Sequence, residues 1–286
     1  MNKTYDQATH LRSLVNQTAT WEPISDRPRI ITLCAGKGGQ GSTTISVNLA
    51  LALAERGRRV ILVDASLSRP DVANLLRIDP AFSILDVLSG QRGVHEVITP
   101  GPGGIMVLPG AWDAARGNQM VTPLELTRLR HEFESLGRHA DVLVLDAGNT
   151  NTPALAEFWR MADLVLTMTT TQPLALMGTY ALIKSLHTEA LHSTLVTLVN
   201  QSSDEDLAER ITDRIQEATQ RFSGREIEAW PGIPFDPAVN EWDEARRPWW
   251  LTARLDPAAL ALEQLAERSL AVLAEVGTHG RALACA

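Results

Sequence analysis

A chain of 286 residues, 44% apolar and 21% charged, is long enough to bury a sizeable core, and α/β folds of this length are often one domain. A formal charge of −8 argues against a protein that grips nucleic acid through its phosphates, which takes a basic face. Two cysteines, Cys34 and Cys285, offer no disulfide framework and fit a reducing cytoplasm. Residues 1–29 contain no apolar signal-peptide core, and no run approaches the roughly 18–20 apolar residues of a membrane span.

Residues 1–20 read as a short helix with a narrow apolar stripe at Leu11, Leu14 and Val15, and Pro23 and Pro28 mark a linker behind it. From Ile30 onward strands and helices alternate. Strands are expected at 29–35, 59–64, 105–108, 142–146, 164–169 and 195–200, all short apolar runs of the kind covered on both faces. Helices are expected at 44–56, with Gly57 as its stop, and at about 122–138, 153–161, 174–190, 204–222 and 257–276. The fifth of these puts Leu207, Ile211, Ile215, Ala218 and Phe222 on one face, and Gly224 ends it. The alternation implies an α/β fold with a doubly wound, mostly parallel sheet flanked by helices. Residues 29–276 form its domain, preceded by a helix and linker over 1–28 and followed by a tail over 277–286.

The strongest chemical signal lies between the first strand and the helix after it: Gly36, Lys37, Gly38, Gly39, Gln40, Gly41, Ser42, Thr43 and Thr44. Glycines let a backbone wrap a phosphate with its N–H groups, and the helix N-terminus adds a favourable dipole. In the usual pattern, G-x-x-x-x-G-K-[ST], the lysine position here is Ser42, while Thr43 keeps the hydroxyl that would hold Mg²⁺.

The early Lys37 makes the run resemble K-G-G-x-G-x-T-T, the deviant Walker A motif of the MinD/ParA group. The resemblance continues through Asp64-Ala65-Ser66, where that family has D-x-D, and through 141–146, which resembles its Walker B strand ending in Asp146. It extends to Thr170-Thr171-Gln172-Pro173, to Val199-Asn200-Gln201 and to Ile233-Pro234-Phe235-Asp236. It implies ATP or ADP bound with Mg²⁺ on Thr43 and Asp146, and catalytic parts for Lys37, Asp64 and Asp146. Asn200, Pro234 and Asp236 would hold the base, and a homodimer would form with Lys37 reaching the partner's nucleotide.

Within that group the chain resembles FlhG proteins. Asp6, Gln7, Ala8, Thr9, His10, Leu11 and Arg12 reproduce their D-Q-A-x-x-L-R motif, and 233–239 and 255–259 resemble later FlhG stretches. The implied partner of Asp6, Gln7, Ala8, Leu11 and Arg12 is an FlhF-like GTPase or another flagellar component, with Leu11 as apolar anchor. The implied setting is cytoplasmic, peripheral at the inner membrane or cell pole.

Four positions depart from the family. Ser42 replaces the P-loop lysine, Ser66 replaces the water-positioning aspartate, and Gln172 and Gly178 replace common acidic residues. Weak nucleotide binding and little hydrolysis are expected, since Ser42 brings no charge and Ser66 no carboxylate to a reaction that runs on positioning and charge neutralisation. Residues 270–286 carry one cation, Arg281, and fit a basic membrane-surface helix poorly; the part before Gly277 is expected to pack on the core. Trp242, Trp249 and Trp250, near Arg246 and Arg247, are expected to pack a loop over the nucleotide side. The histidines show no metal spacing. Two rival readings remain: an active MinD-like switch dimerising on ATP, and a ParA-like DNA-partition ATPase, which the acidic charge and the N-terminal motif disfavour.

Overall fold

The computed structural model describes residues 27–111, 121–149, 153–189, 192–224, 226–237, 239, 248–252 and 255–284. The N-terminal motif at 6–12, Trp242, Arg246 and Arg247 lie outside the described residues.

The apolar runs become the central strands. In chain order these are β1 (Arg29–Ala35), β2 (Val60–Asp64), β3 (Thr99–Pro100), β4 (Met106–Leu108), β5 (Val142–Asp146), β6 (Leu164–Thr169), β7 (Thr194–Ser202), β8 (Glu228–Ala229) and β9 (Ile233–Pro234). They join in one sheet of order β3-β4-β2-β5-β1-β6-β7-β8, with β9 pairing further along β7. Every pairing is parallel except β3 with β4. The doubly wound, mostly parallel α/β sheet expected from the pattern is the fold observed.

Successive residues of a strand face opposite ways, so each strand feeds two cores. From β1, Ile31, Leu33 and Ala35 enter one core and Ile30 and Cys34 the other. The first core is closed by α1 (Ser42–Glu55), α2 (Val72–Leu76) and α9 (Pro257–Ala284). The second lies under α3 (Ile84–Ser89), α4 (Val94–Val97), α5 (Pro123–Ser135), α6 (Pro153–Met161), α7 (Pro173–Glu189) and α8 (Glu205–Ser223).

Local sequence sets the helix ends. Thr122 and Glu125 form a reciprocal capping box ahead of α5, with Pro123 in the first turn, where its missing N–H has no partner to lose. Asp204 caps α8 and Gly224, at φ 64°, ends it. Gly277 does not end α9, which runs on to Ala284 instead of giving way to a tail. The short elements α2, α3, α4 and β3 have no counterpart in the periodicity, because helices of four to six residues and a strand of two are too short to show a period.

Trp249 and Trp250 are buried in the first core, 1% and 4% exposed. Trp250 donates its backbone N–H to Asn48 Oδ1 (3.0 Å) and its indole N–H to Glu55 (2.9 Å), which fastens the 248–252 turn to α1. At the opposite end of the sheet, the buried Asp163 carboxylate receives Arg27, Arg29 and the backbone N–H of Ile30, at 2.7–3.2 Å. That cluster locks the start of β1 to the start of β6.

Candidate nucleotide site

The glycine-rich loop crosses from the C-terminal end of β1 to the start of α1, where open α/β sheets bind their ligands. Gly39 and Gly41 sit at φ 82° and 87°, the left-handed region that glycine enters without strain. Close packing forbids a side chain at two further points. A Cβ on Gly36 would lie 2.1 Å from the carbonyl carbon of Gly178, and one on Gly178 would lie 2.5 Å from the Gly36 carbonyl oxygen. The start of the loop therefore rests directly on α7. Gly178, which the family pattern marks as a lost acidic residue, is glycine because the backbone of the loop passes over it.

Two side chains brace the loop. Gln40, 2% exposed, accepts the Lys37 N–H on Oε1 (3.0 Å). Asn200 Nδ2 donates to the Gln40 carbonyl (2.9 Å). Asn200, assigned to the base by resemblance, thus props the loop from β7 while lining the base side of the cavity. No side chain caps α1 and its first turn carries no acidic residue, so the N-terminal N–H groups face outward as an anion cradle.

The aspartates end adjacent strands and pair in register, Asp64 against Asp146. Both are fully buried. Burial pushes the Asp64 carboxyl up to about 7, with the charge of Asp146 adding to the effect. It does so although Asp64 accepts N–H bonds from Ser66 (3.2 Å), Asp71 (3.0 Å) and Val72 (3.1 Å). Asp64 is expected from the motif to act catalytically; in the structure its two oxygens anchor the 66–72 loop. Asp146 is pushed up to about 6, again chiefly by burial, against the Thr43 and Ser42 hydroxyls and the Gly148 N–H, which favour its charged form. Its Oδ2 is buried with no hydrogen-bond partner among the described residues. A buried carboxylate with one oxygen left without a partner and a threonine hydroxyl favouring its charge fits Mg²⁺, which takes one or two carboxylates and keeps several waters.

Two cavities flank the loop. One, about 520 Å³, is bounded by Lys37, Gly38, Gly39, Ser42, Thr43 and Ser66, and on its far wall by Ser68, Arg69, Pro70 and Asp71. The other, about 540 Å³, runs from Gly41, Thr43 and Thr44 to Asn200, Pro234, Phe235 and Asp236, with Trp249 behind. They meet over Gly39, Ser42, Thr43 and Asp71, and each is of small-ligand size. The structure thus gathers the loop and Ser66 at a phosphate side and Asn200, Pro234 and Asp236 at a base side, while Asp146 is fully buried and lines neither cavity. Asp236 is mostly buried and also accepts the Ala258 N–H (3.3 Å) at the head of α9. Sequence reasoning missed Arg69 and Asp71, which belong to no motif; their nearness to Ser66 in the loop after β2 was the available signal.

A family model described as an AAA domain matches residues 28–197. The chain is 31% identical over 257 residues to the antiactivator FleN of Pseudomonas aeruginosa, covering 89% of each. It is 26% identical to the flagellum site-determining protein YlxH of Helicobacter pylori, over 63% of this chain and 61% of that one. Its fold matches the cell division ATPase MinD of Pyrococcus furiosus with a TM-score of 0.70 at 26% identity, covering 84% of this chain and 97% of MinD. The chain belongs to the MinD/ParA group of P-loop ATPases. Its relatives place it beside FleN and FlhG within that group. Seen as a MinD/ParA site, the cavity lacks a cation at 42 and a carboxylate at 66: both positions are buried serines. The Ser66 hydroxyl donates to the Arg69 carbonyl (3.1 Å), so it holds its own loop. Among the described residues no helix is long and apolar enough to cross a membrane, and no three His, Cys, Asp or Glu side chains cluster as metal ligands.

Proposed function

We propose that this chain is an FlhG-like regulator of flagellar number or placement whose nucleotide site binds ATP or ADP with Mg²⁺ weakly and hydrolyses little. The regulatory part rests on the extent of the likeness to FleN, 89% of both chains. The nucleotide part rests on one observation: the anion cradle and Thr43 border a cavity whose positions 42 and 66 are serines, with the fully buried Asp146 behind the Thr43 and Ser42 hydroxyls. Bound Mg²⁺ would neutralise phosphate charge. The chain's own part would be to hold phosphate oxygens on the loop N–H groups and the metal's water shell on Thr43 and Asp146. Without a lysine at 42, one charge-assisted contact worth roughly 1.5–3 kcal/mol is missing. Without a carboxylate at 66, the group that would orient the attacking water at that position is missing. Output would run through the N-terminal motif at 6–12, docking on an FlhF-like GTPase.

The deciding experiment compares Mg-ATP binding and turnover by wild type and by Ser42→Lys/Ser66→Asp. The expected result is weak binding and negligible turnover for wild type, with both gained in the double variant. Turnover by wild type at the level of an intact P-loop enzyme would overturn the reading. It would favour the active switch instead, for which Lys37, exposed at the cavity mouth, is the supporting observation.

A further inference from the structure

We propose that Arg69 supplies the positive charge at the phosphate side of the cavity that position 42 no longer provides. The inference rests on the nucleotide reading and names the residue on which binding depends.

Among the described residues, Lys37 and Arg69 are the two cationic side chains on the wall of that cavity. Arg69 is exposed, and its guanidinium makes no ion pair or hydrogen bond with another described residue. Its backbone, by contrast, is fixed. The Arg69 N–H donates to the Ser66 carbonyl (3.3 Å), and the Ser66 hydroxyl donates back to the Arg69 carbonyl (3.1 Å). Just beyond, Asp64 holds the N–H groups of Asp71 and Val72. A long flexible side chain is thus mounted on a rigid turn, opposite the loop N–H groups.

The two serines make this arrangement workable. A lysine at 42 would send its ammonium into the space that Ser42 leaves open and supply the phosphate charge itself, so binding would depend less on Arg69. An aspartate at 66 would stand against the Arg69 carbonyl and draw the guanidinium away from any ligand. With serine at both positions the cavity loses one charge of each sign, and Arg69 is left uncompensated except by Asp71, which lines the same wall and is itself exposed. A guanidinium presents a planar fork of donors that matches two phosphate oxygens at once, so it can take a phosphate from the far wall as well as from the loop. The ligand class is a nucleoside di- or triphosphate, gripped at its terminal phosphate.

The test is calorimetric titration of the full chain with Mg-ADP, for wild type, Arg69→Ala, Arg69→Gln, Lys37→Ala and Arg69→Ala/Ser42→Lys, each with its melting curve. Arg69→Ala and Arg69→Gln are expected to weaken Mg-ADP at least ten-fold with unchanged Tm, and Ser42→Lys to restore affinity in the Arg69→Ala background. If both Arg69 variants bind like wild type while Lys37→Ala loses binding, the charge comes from the loop and the assignment to Arg69 is wrong, although the nucleotide reading stands. If wild type binds no Mg-ADP at millimolar concentration, the nucleotide reading and Arg69 fail together.

Discussion

Asp64 and Asp146 face each other at full burial, and their shifts set how this protein answers pH. Both carboxyls are raised above the ordinary aspartate value, to about 7 and about 6. The folded state therefore binds protons more tightly than the unfolded chain. Their contribution to stability is complete at about pH 4 and is lost as pH rises through 6 and 7. The ligand-free protein is expected to melt lower at pH 8 than at pH 5.5, other groups aside. Asp146→Asn should raise Tm at pH 8, by about 2–4 °C for each kcal/mol of strain relieved, and flatten the pH dependence. Added Mg²⁺ should do the same for the wild type, increasingly so as pH rises. Thermal melts at the two pH values, with and without Mg²⁺, check both expectations; a variant that melts lower at pH 8 would refute them. At this scale the sequence was only partly readable. The glycine run and Asp146 were plain, because motifs report backbone shape and charge. The use of Asp64 as a loop anchor was not, because three N–H groups converge on it from residues that no motif marks.

The contact between the loop and α7 belongs to the scale of elements. Gly178→Ala forces a methyl group onto the Gly36 carbonyl. It is expected to destabilise the fold by about 1–3 kcal/mol, as overpacking of well-packed sites does, and to weaken Mg-ADP at the same time. A change in melting temperature without a change in binding would show that α7 does not support the loop. The Asp163 cluster makes a second case. Asp163→Ala strands Arg29, 7% exposed, without its carboxylate, and should cost about 3–5 kcal/mol in a denaturant titration. The helices and strands of the main alternation were legible because each is long enough to show its period or its apolar run. The segment 72–100 was not. Its pieces, α2, α3, α4 and β3, are held by capping, as at Ser83 and Asp86, and by packing on the core rather than by periodicity. The end of α9 was misjudged for the opposite reason: one glycine costs a helix only about 1 kcal/mol, too little to stop it by itself.

At the scale of the whole molecule, the two cavities are built from distant parts of the chain. The phosphate wall comes from residues 66–71 and the base wall from 200–236, with the loop between them. A bound nucleotide therefore ties both halves of the sheet together. Mg-ADP at 100 times its Kd should stabilise the fold by about 2.7 kcal/mol, readable as a rise in Tm. Because Trp249 lies against the base side, its fluorescence should change with the same saturation curve. A Tm shift with silent fluorescence would place the ligand elsewhere.

Asp236 has two duties, since it walls the base cavity and receives the first turn of α9 on its carboxylate. It thus joins the wall of the cavity to a long element. Pro257–Ala284 forms a rod of 28 residues, about 42 Å long at a rise of 1.5 Å per residue. Ala258, Ala259, Leu262, Leu265, Ala266 and Leu273 seat that rod in the first core, so the base wall, the core and the last helix share one footing at Asp236.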